Sequence, residues 1–78
     1  MEVNIDSFFG KSLKTIRRKK RVTQEDLADM AKLDRTYISL LEHGLRKPSL
    51  EAIMSIAKVL DISACEFVKD VEYQLAHR

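Results

Sequence analysis

Apolar residues recur at three- and four-residue spacing along almost the whole chain, and residues that start or stop helices stand between the runs. That period is one face of an α-helix. Phe9, Leu13 and Ile16 share such a face, and Asp6 or Ser7 can cap its start. The charges from Arg17 to Arg21 and then β-branched Val22 and Thr23 mark its end, so a helix is expected over 7–20. Thr23-Gln24-Glu25-Asp26 opens a second helix as a capping box, with Leu27, Ala28 and Ala31 inward, over 24–31. Asp34 caps a third, with Ile38 and Leu41 inward and Gly44 as its C′ residue, over 35–43. Ser49 caps a fourth, with Glu51 at its positive end and a stripe of Leu50, Ile53, Ile56, Ala57 and Leu60, over 50–60. Ser63-Ala64-Cys65-Glu66 is a complete S-x-x-E box, and either Phe67, Val71 and Leu75 or Cys65, Val68 and Leu75 run on from it, over 64–76. Two Gly and one Pro leave little material for the turns of a β-rich fold. The expected class is therefore all-α: a compact five-helix bundle, one domain over 1–78.

A chain of 78 residues buries only about 60% of the surface its unfolded form exposes, and struggles to enclose a deep pocket. No Ser/His/Asp arrangement, Gly-rich phosphate loop or paired-carboxylate site stands out, so an enzyme is not expected. Cys65 is alone, which excludes an internal disulfide and a multi-thiolate metal site within one chain. His43 and His77 have no nearby partner of metal-ligand spacing. No metal, no cofactor and no small-molecule ligand are expected. No apolar run approaches the ~18 residues that cross a membrane. The first ten residues hold Glu2 and Asp6 and no Lys or Arg, so there is no secretory signal and a cytoplasmic location is expected.

The net charge of +2 conceals an uneven distribution. Residues 11–48 hold eleven bases against five acids, while residues 49–78 hold three bases against five acids. A basic block beside an acidic one suggests a polyanion-binding part and a packing part. The competing reading is that Arg17 to Arg21 only solvate a helix end, where cations suit the dipole.

Two short helices joined by about three residues, the second with a polar first turn, describe a helix-turn-helix. Ala28 is the small residue needed where the second helix crosses the first, and Leu27, Ala31, Leu33, Ile38 and Leu41 lock the two axes. Gln24, Arg35, Thr36, Tyr37 and Ser39 are left pointing outward. Such a second helix places its N-terminal turn in the DNA major groove. Arg35 is the first choice for base readout, because its planar fork can donate two hydrogen bonds to guanine. Thr36 can touch a thymine methyl or a base edge, and Ser39 a base edge or the backbone. Tyr37 can contact DNA through its hydroxyl, at base or phosphate, while its ring packs on the helix; burial as core is the competing reading. Gln24, at the exposed start of the second helix, can bond a phosphate beside free backbone N–H groups. Arg46 is assigned to bases, Lys47 to flanking phosphates, and Arg17 of the first helix to phosphate.

Thr23-Gln24-x-x-Leu27-Ala28, Leu33-x-x-x-Tyr37-Ile38-Ser39-x-x-Glu42-x-Gly44 and Pro48-Ser49-Leu50 together resemble the Xre/Cro/C1 repressor-like helix-turn-helix family, across roughly residues 9–68. The size of the chain and the run Leu33-Asp34-Arg35-Thr36-Tyr37-Ile38-Ser39 are also similar to the controller proteins of restriction–modification systems. The resemblance implies a lambda repressor-like domain and a transcription regulator that binds a double-stranded DNA operator and blocks or recruits RNA polymerase. It also implies a Gln24 contact to the DNA backbone, and a structural Glu42 that fixes the loop after helix 3 or pairs with a base of helix 1. A phage-type repressor is the alternative within the class, and an antitoxin or other protein-interaction module the alternative outside it. Lys32 stands in the turn where many such motifs have Gly, and Asp61 where related chains often have Gly. Either Lys32 takes positive φ or the turn is shaped differently.

One recognition helix reads only a few base pairs, each worth about 1–3 kcal/mol of discrimination, so a homodimer is expected. Helix 5 carries an apolar surplus that suits a two-fold interface. Cys65, Phe67, Val68 and Val71 are assigned to it, with Phe67 and Val68 nearest the axis; closure of the monomer core is the competing reading.

Overall fold

The computed structural model describes residues 4–78, so Glu2 lies outside the described residues. Five helices follow in order: α1 Ile5–Lys19, α2 Gln24–Ala31, α3 Arg35–Glu42, α4 Leu50–Val59 and α5 Ala64–Ala76. Each starts where a side-chain oxygen accepts the backbone N–H of a first-turn residue: Asn4 from Ser7, Thr23 from Asp26, Asp34 from Thr36, Ser49 from Ala52 and Ser63 from Glu66. The Ser63–Glu66 box closes in both directions. The first helix begins earlier than the 7–20 expected, because Asn4 and not Asp6 or Ser7 supplies the cap, at 3.2 Å.

The ends of the first four helices share one device. Arg21, Lys32, Gly44 and Asp61 all take positive φ, between 56° and 70°. The residue after each, Val22, Leu33, Leu45 or Ile62, sends its N–H back five residues to a free carbonyl of the preceding helix. This is the Schellman arrangement, in which the left-handed residue lets the chain turn and the next apolar residue returns to the core. Val22, Leu33 and Ile62 do pack against the core; Leu45 stays 72% exposed. The turn at Lys32 therefore has the ordinary helix-turn-helix shape, with φ of 58° on a residue that has a Cβ. Such a conformation costs an L-residue roughly 1 kcal/mol, partly offset by the greater chain entropy of Gly. Lys32→Gly is expected to stabilise the fold by about 0.5–1 kcal/mol, raising the melting temperature by several degrees. A thermal melt checks this, and a lowered midpoint would count against the strain assigned to Lys32.

The core is built from Phe9, Leu13, Leu27, Ala28, Ile38, Leu41, Ile56, Ala57, Leu60, Phe67 and Val71. The stripe expected on α4 is shifted, since Ala52 is buried while Leu50 on the first turn is 75% exposed. On α5 the inward set is Phe67 and Val71, and Phe67 is fully buried, its ring 5.4 Å from that of Phe9. These two residues close the monomer core, which corrects their assignment to a dimer interface. The physical reason is the position of α1, which packs along α5 with Phe9 against Phe67. Ser12, Asp70 and Gln74 add a polar tie between the same helices: Ser12 donates to Asp70, and Gln74 Nε2 donates to Ser12 Oγ at 2.6 Å and to the Phe8 carbonyl at 3.1 Å. The radius of gyration is 11.6 Å, against about 11.5 Å for a folded chain of this length.

Candidate nucleic-acid interface

The helix-turn-helix is α2, the turn at Lys32–Asp34, and α3. Leu27, Ala28, Ile38 and Leu41 are buried between the two helices and the rest of the core. Residues 35, 36 and 39 fall on the opposite face of α3 by helical spacing. Arg35 and Thr36 are exposed on its first turn, and Ser39 is half-buried. Among the described residues, the Arg35 guanidinium has neither an ion pair nor a hydrogen bond within the chain. A cation held on a short rigid helix with its donors free can bind an external acceptor with little reorganisation.

Tyr37 is half-buried. Its ring packs against the core, and its hydroxyl oxygen accepts the Ser49 N–H at 3.3 Å, joining α3 to the start of α4. The Arg46 guanidinium carbon lies 5.4 Å from the centre of the same ring. That cation–π contact steers an otherwise free side chain toward the α3 surface. Lys47 is 88% exposed and 3.5 Å from Asp6. An exposed pair of this kind contributes little, so the ammonium can exchange partners readily.

Behind this surface lies a buried polar network. Arg17 of α1 donates from Nε to Glu42 Oε2 at 2.6 Å and from Nη2 to Glu42 Oε1 at 3.0 Å. Its Nη1 donates to the Val22 carbonyl at 2.8 Å. The pair is shielded, with side-chain exposures of 10% for Arg17 and 2% for Glu42. Glu42 Oε1 also accepts from Gln24 Nε2 at 3.0 Å. The network thus joins α1, the turn after it, the start of α2 and the end of α3. Arg17 was assigned to phosphate from sequence, and the structure corrects this, because its guanidinium is buried and committed to Glu42. Gly10 of α1, about two turns before Arg17, allows the close α1–α3 approach: a Cβ there would clash with the Leu41 and Glu42 carbonyl oxygens, the latter at 2.7 Å. Sequence inspection did not single out Gly10. A lone Gly inside a helical stretch was the available signal.

Of the remaining assigned residues, Gln24 is half-buried at the start of α2. Cys65 and Val68 of α5 are exposed, Val68 to 52%. Met54 of α4, 57% exposed, lines a shallow groove with Ala57, Ile62 and Ala64 and with Ser55, Lys58 and Ser63, and was not identified from sequence. Among the described residues no three His, Cys, Asp or Glu side chains gather as a metal site, and no helix is long and apolar enough to cross a membrane.

Comparison with known proteins shows the family. Residues 13–67 match the family model described as helix-turn-helix. Over 82% of the chain the sequence is 40% identical to the control protein C.MunI of Mycoplasma sp, covering 88% of that protein. Over 80% of the chain it is 43% identical to the control protein C.BamHI of Bacillus amyloliquefaciens, covering 78% of that protein. The crystal structure of the restriction–modification controller protein C.AhdI from Aeromonas hydrophila superposes with a TM-score of 0.78 at 39% identity, covering 80% of this chain and 94% of that one.

Proposed function

Because the chain belongs to the helix-turn-helix family, as a transcriptional regulator of the restriction–modification controller type, we propose that it acts as a homodimer on a pseudo-palindromic DNA operator. Arg35 reads a guanine from the first turn of α3, with Thr36 and Ser39 beside it on base edges. Arg46, held over the Tyr37 ring, reaches a flanking base, and Gln24, Lys47 and the Tyr37 hydroxyl take backbone phosphates. By blocking or engaging RNA polymerase beside a promoter, the bound dimer sets expression of its own gene and of a restriction endonuclease gene. The observation that carries this reading is the free Arg35 fork on a recognition helix whose far end is anchored by Glu42 to Arg17.

Of the four residues assigned from sequence, Cys65 and Val68 remain available to form the dimer face, and Phe67 and Val71 are taken by the monomer core. Cys65 and Val68 are both exposed in the monomer, Val68 to 52%. Two recognition helices related by this face would sit about 34 Å apart, one turn of duplex. Val68→Glu puts a charge into that contact. Sedimentation is expected to show the monomer, operator affinity to fall at least about tenfold, and the helical spectrum to stay unchanged. A dimer that survives the substitution would place the interface elsewhere.

The operator itself is tested by selecting duplexes from a random pool. The expected product is a pair of inverted half-sites about 10 base pairs apart. Failure to enrich any sequence would remove the specific reading.

A further inference from the structure

We propose that Glu42 is a positioning residue for DNA contact: it holds the Gln24 side-chain amide so that one N–H is spent inward and the other is presented to a backbone phosphate. The inference rests on the DNA-binding reading above and deepens it. Glu42 sits at the end of α3, and Gln24 at the start of α2, eighteen residues earlier. The carboxylate is held by two Arg17 nitrogens and is almost wholly buried. Its Oε1 accepts Gln24 Nε2 at 3.0 Å.

The chemistry settles which way the amide faces. A Gln carbonyl turned toward a carboxylate would set two acceptors against each other, so the NH2 end faces Glu42. The amide is planar, and its second N–H therefore diverges from the first. Gln24 is half-buried at the first turn of α2, so its side chain is in part accessible, and the second N–H is assigned to that accessible side. Glu25 and Asp26 already occupy the positive end of this helix, so a phosphate there depends on a well-aimed hydrogen bond more than on the dipole. A free Gln side chain would have to be ordered on binding; this one is ordered beforehand. The same carboxylate belongs to the last residue of α3, so the Gln24 amide is tied to the helix that carries Arg35. Phosphate contacts fix register, and register decides which bases Arg35 meets.

The test uses the full chain and two gentle variants. Glu42→Asp keeps the charge opposite Arg17 but withdraws the carboxylate by one methylene. Gln24→Met keeps the shape and removes the donor. In nuclear magnetic resonance of the free wild type, the Gln24 NH2 group is expected to be rigid, with an order parameter above roughly 0.8. It is expected to become mobile in Glu42→Asp. On the duplex selected by the wild type, Glu42→Asp and Gln24→Met should each weaken binding roughly five- to tenfold. Combined, they should be no worse than Gln24→Met alone. A purely structural role for Glu42 would instead make the two effects multiply, which overturns the proposal. So does a mobile Gln24 amide in the wild type, which decides the matter even where Glu42→Asp does not fold. Full binding by Gln24→Met overturns the proposal while leaving the DNA reading intact. A wild type that selects no duplex removes both.

Discussion

Glu42→Ala is expected to remove about 3–5 kcal/mol of folding stability, the typical result of stranding one member of a buried ion pair. Small domains have only about 5–15 kcal/mol in total, so the variant is expected to be largely unfolded near 37 °C. The cause lies in what remains around Arg17. Its guanidinium is buried and donates three hydrogen bonds, two of them to Glu42. Without the carboxylate only the Val22 carbonyl is left, and the charge has no counterpart in a shielded site. Gln24 loses its partner at the same moment. Urea denaturation of the two proteins measures the difference as a lower midpoint at unchanged slope. The companion Arg17→Met, Glu42→Leu double variant removes both charges together, and is expected to recover most of the loss. A loss below about 1 kcal/mol for Glu42→Ala would mean that the pair is solvated and that the network does not bind α1 to α3.

Arg35→Ala is expected to have the largest effect on function with the least effect on the fold. Operator affinity should fall about 5- to 150-fold, or about 1–3 kcal/mol, and discrimination should relax at one base pair. The side chain is exposed on the first turn of α3, and among the described residues it supports no neighbour. Circular dichroism and melting temperature should therefore match the wild type. Arg35→Lys is expected to restore affinity for random duplex but not the base preference, because an ammonium cannot offer the two parallel donors that O6 and N7 of guanine accept. Competition binding against operator duplexes altered one pair at a time reads both effects. Equal weakening on operator and random DNA would reassign Arg35 to phosphate.

The starts of the helices were open to reading because capping is local. Thr23, Asp34, Ser49 and Ser63 each meet a backbone N–H two or three residues away. Asn4 escaped notice because Asp6 and Ser7, two equally good caps, follow it closely. The helix ends were harder. Gly44 announces its turn, whereas Arg21, Lys32 and Asp61 enter the left-handed region with full side chains. What holds them there is the returning N–H and the burial of the next apolar residue, and neither is written at the position itself.

The site divides along the same line. Arg35, Thr36 and Ser39 follow from helical spacing alone. Arg17 did not, because it sits at the head of a run of five bases that looks uniformly solvated, and its partner is twenty-five residues away. The apolar surplus of α5 was visible, but which part of it turns inward depends on where Phe9 of α1 lies. That contact places Phe67 in the core and leaves Val68 outside.

The central claim is that the first turn of α3 enters the major groove, and titrating the labelled protein with its selected duplex tests it most directly. Amide resonances of residues 35–39 are expected to shift furthest, followed by those of Gln24, Arg46 and Lys47, with Cys65 and Val68 little moved. Shifts concentrated on α5, with residues 35–39 unmoved at saturation, would contradict the account.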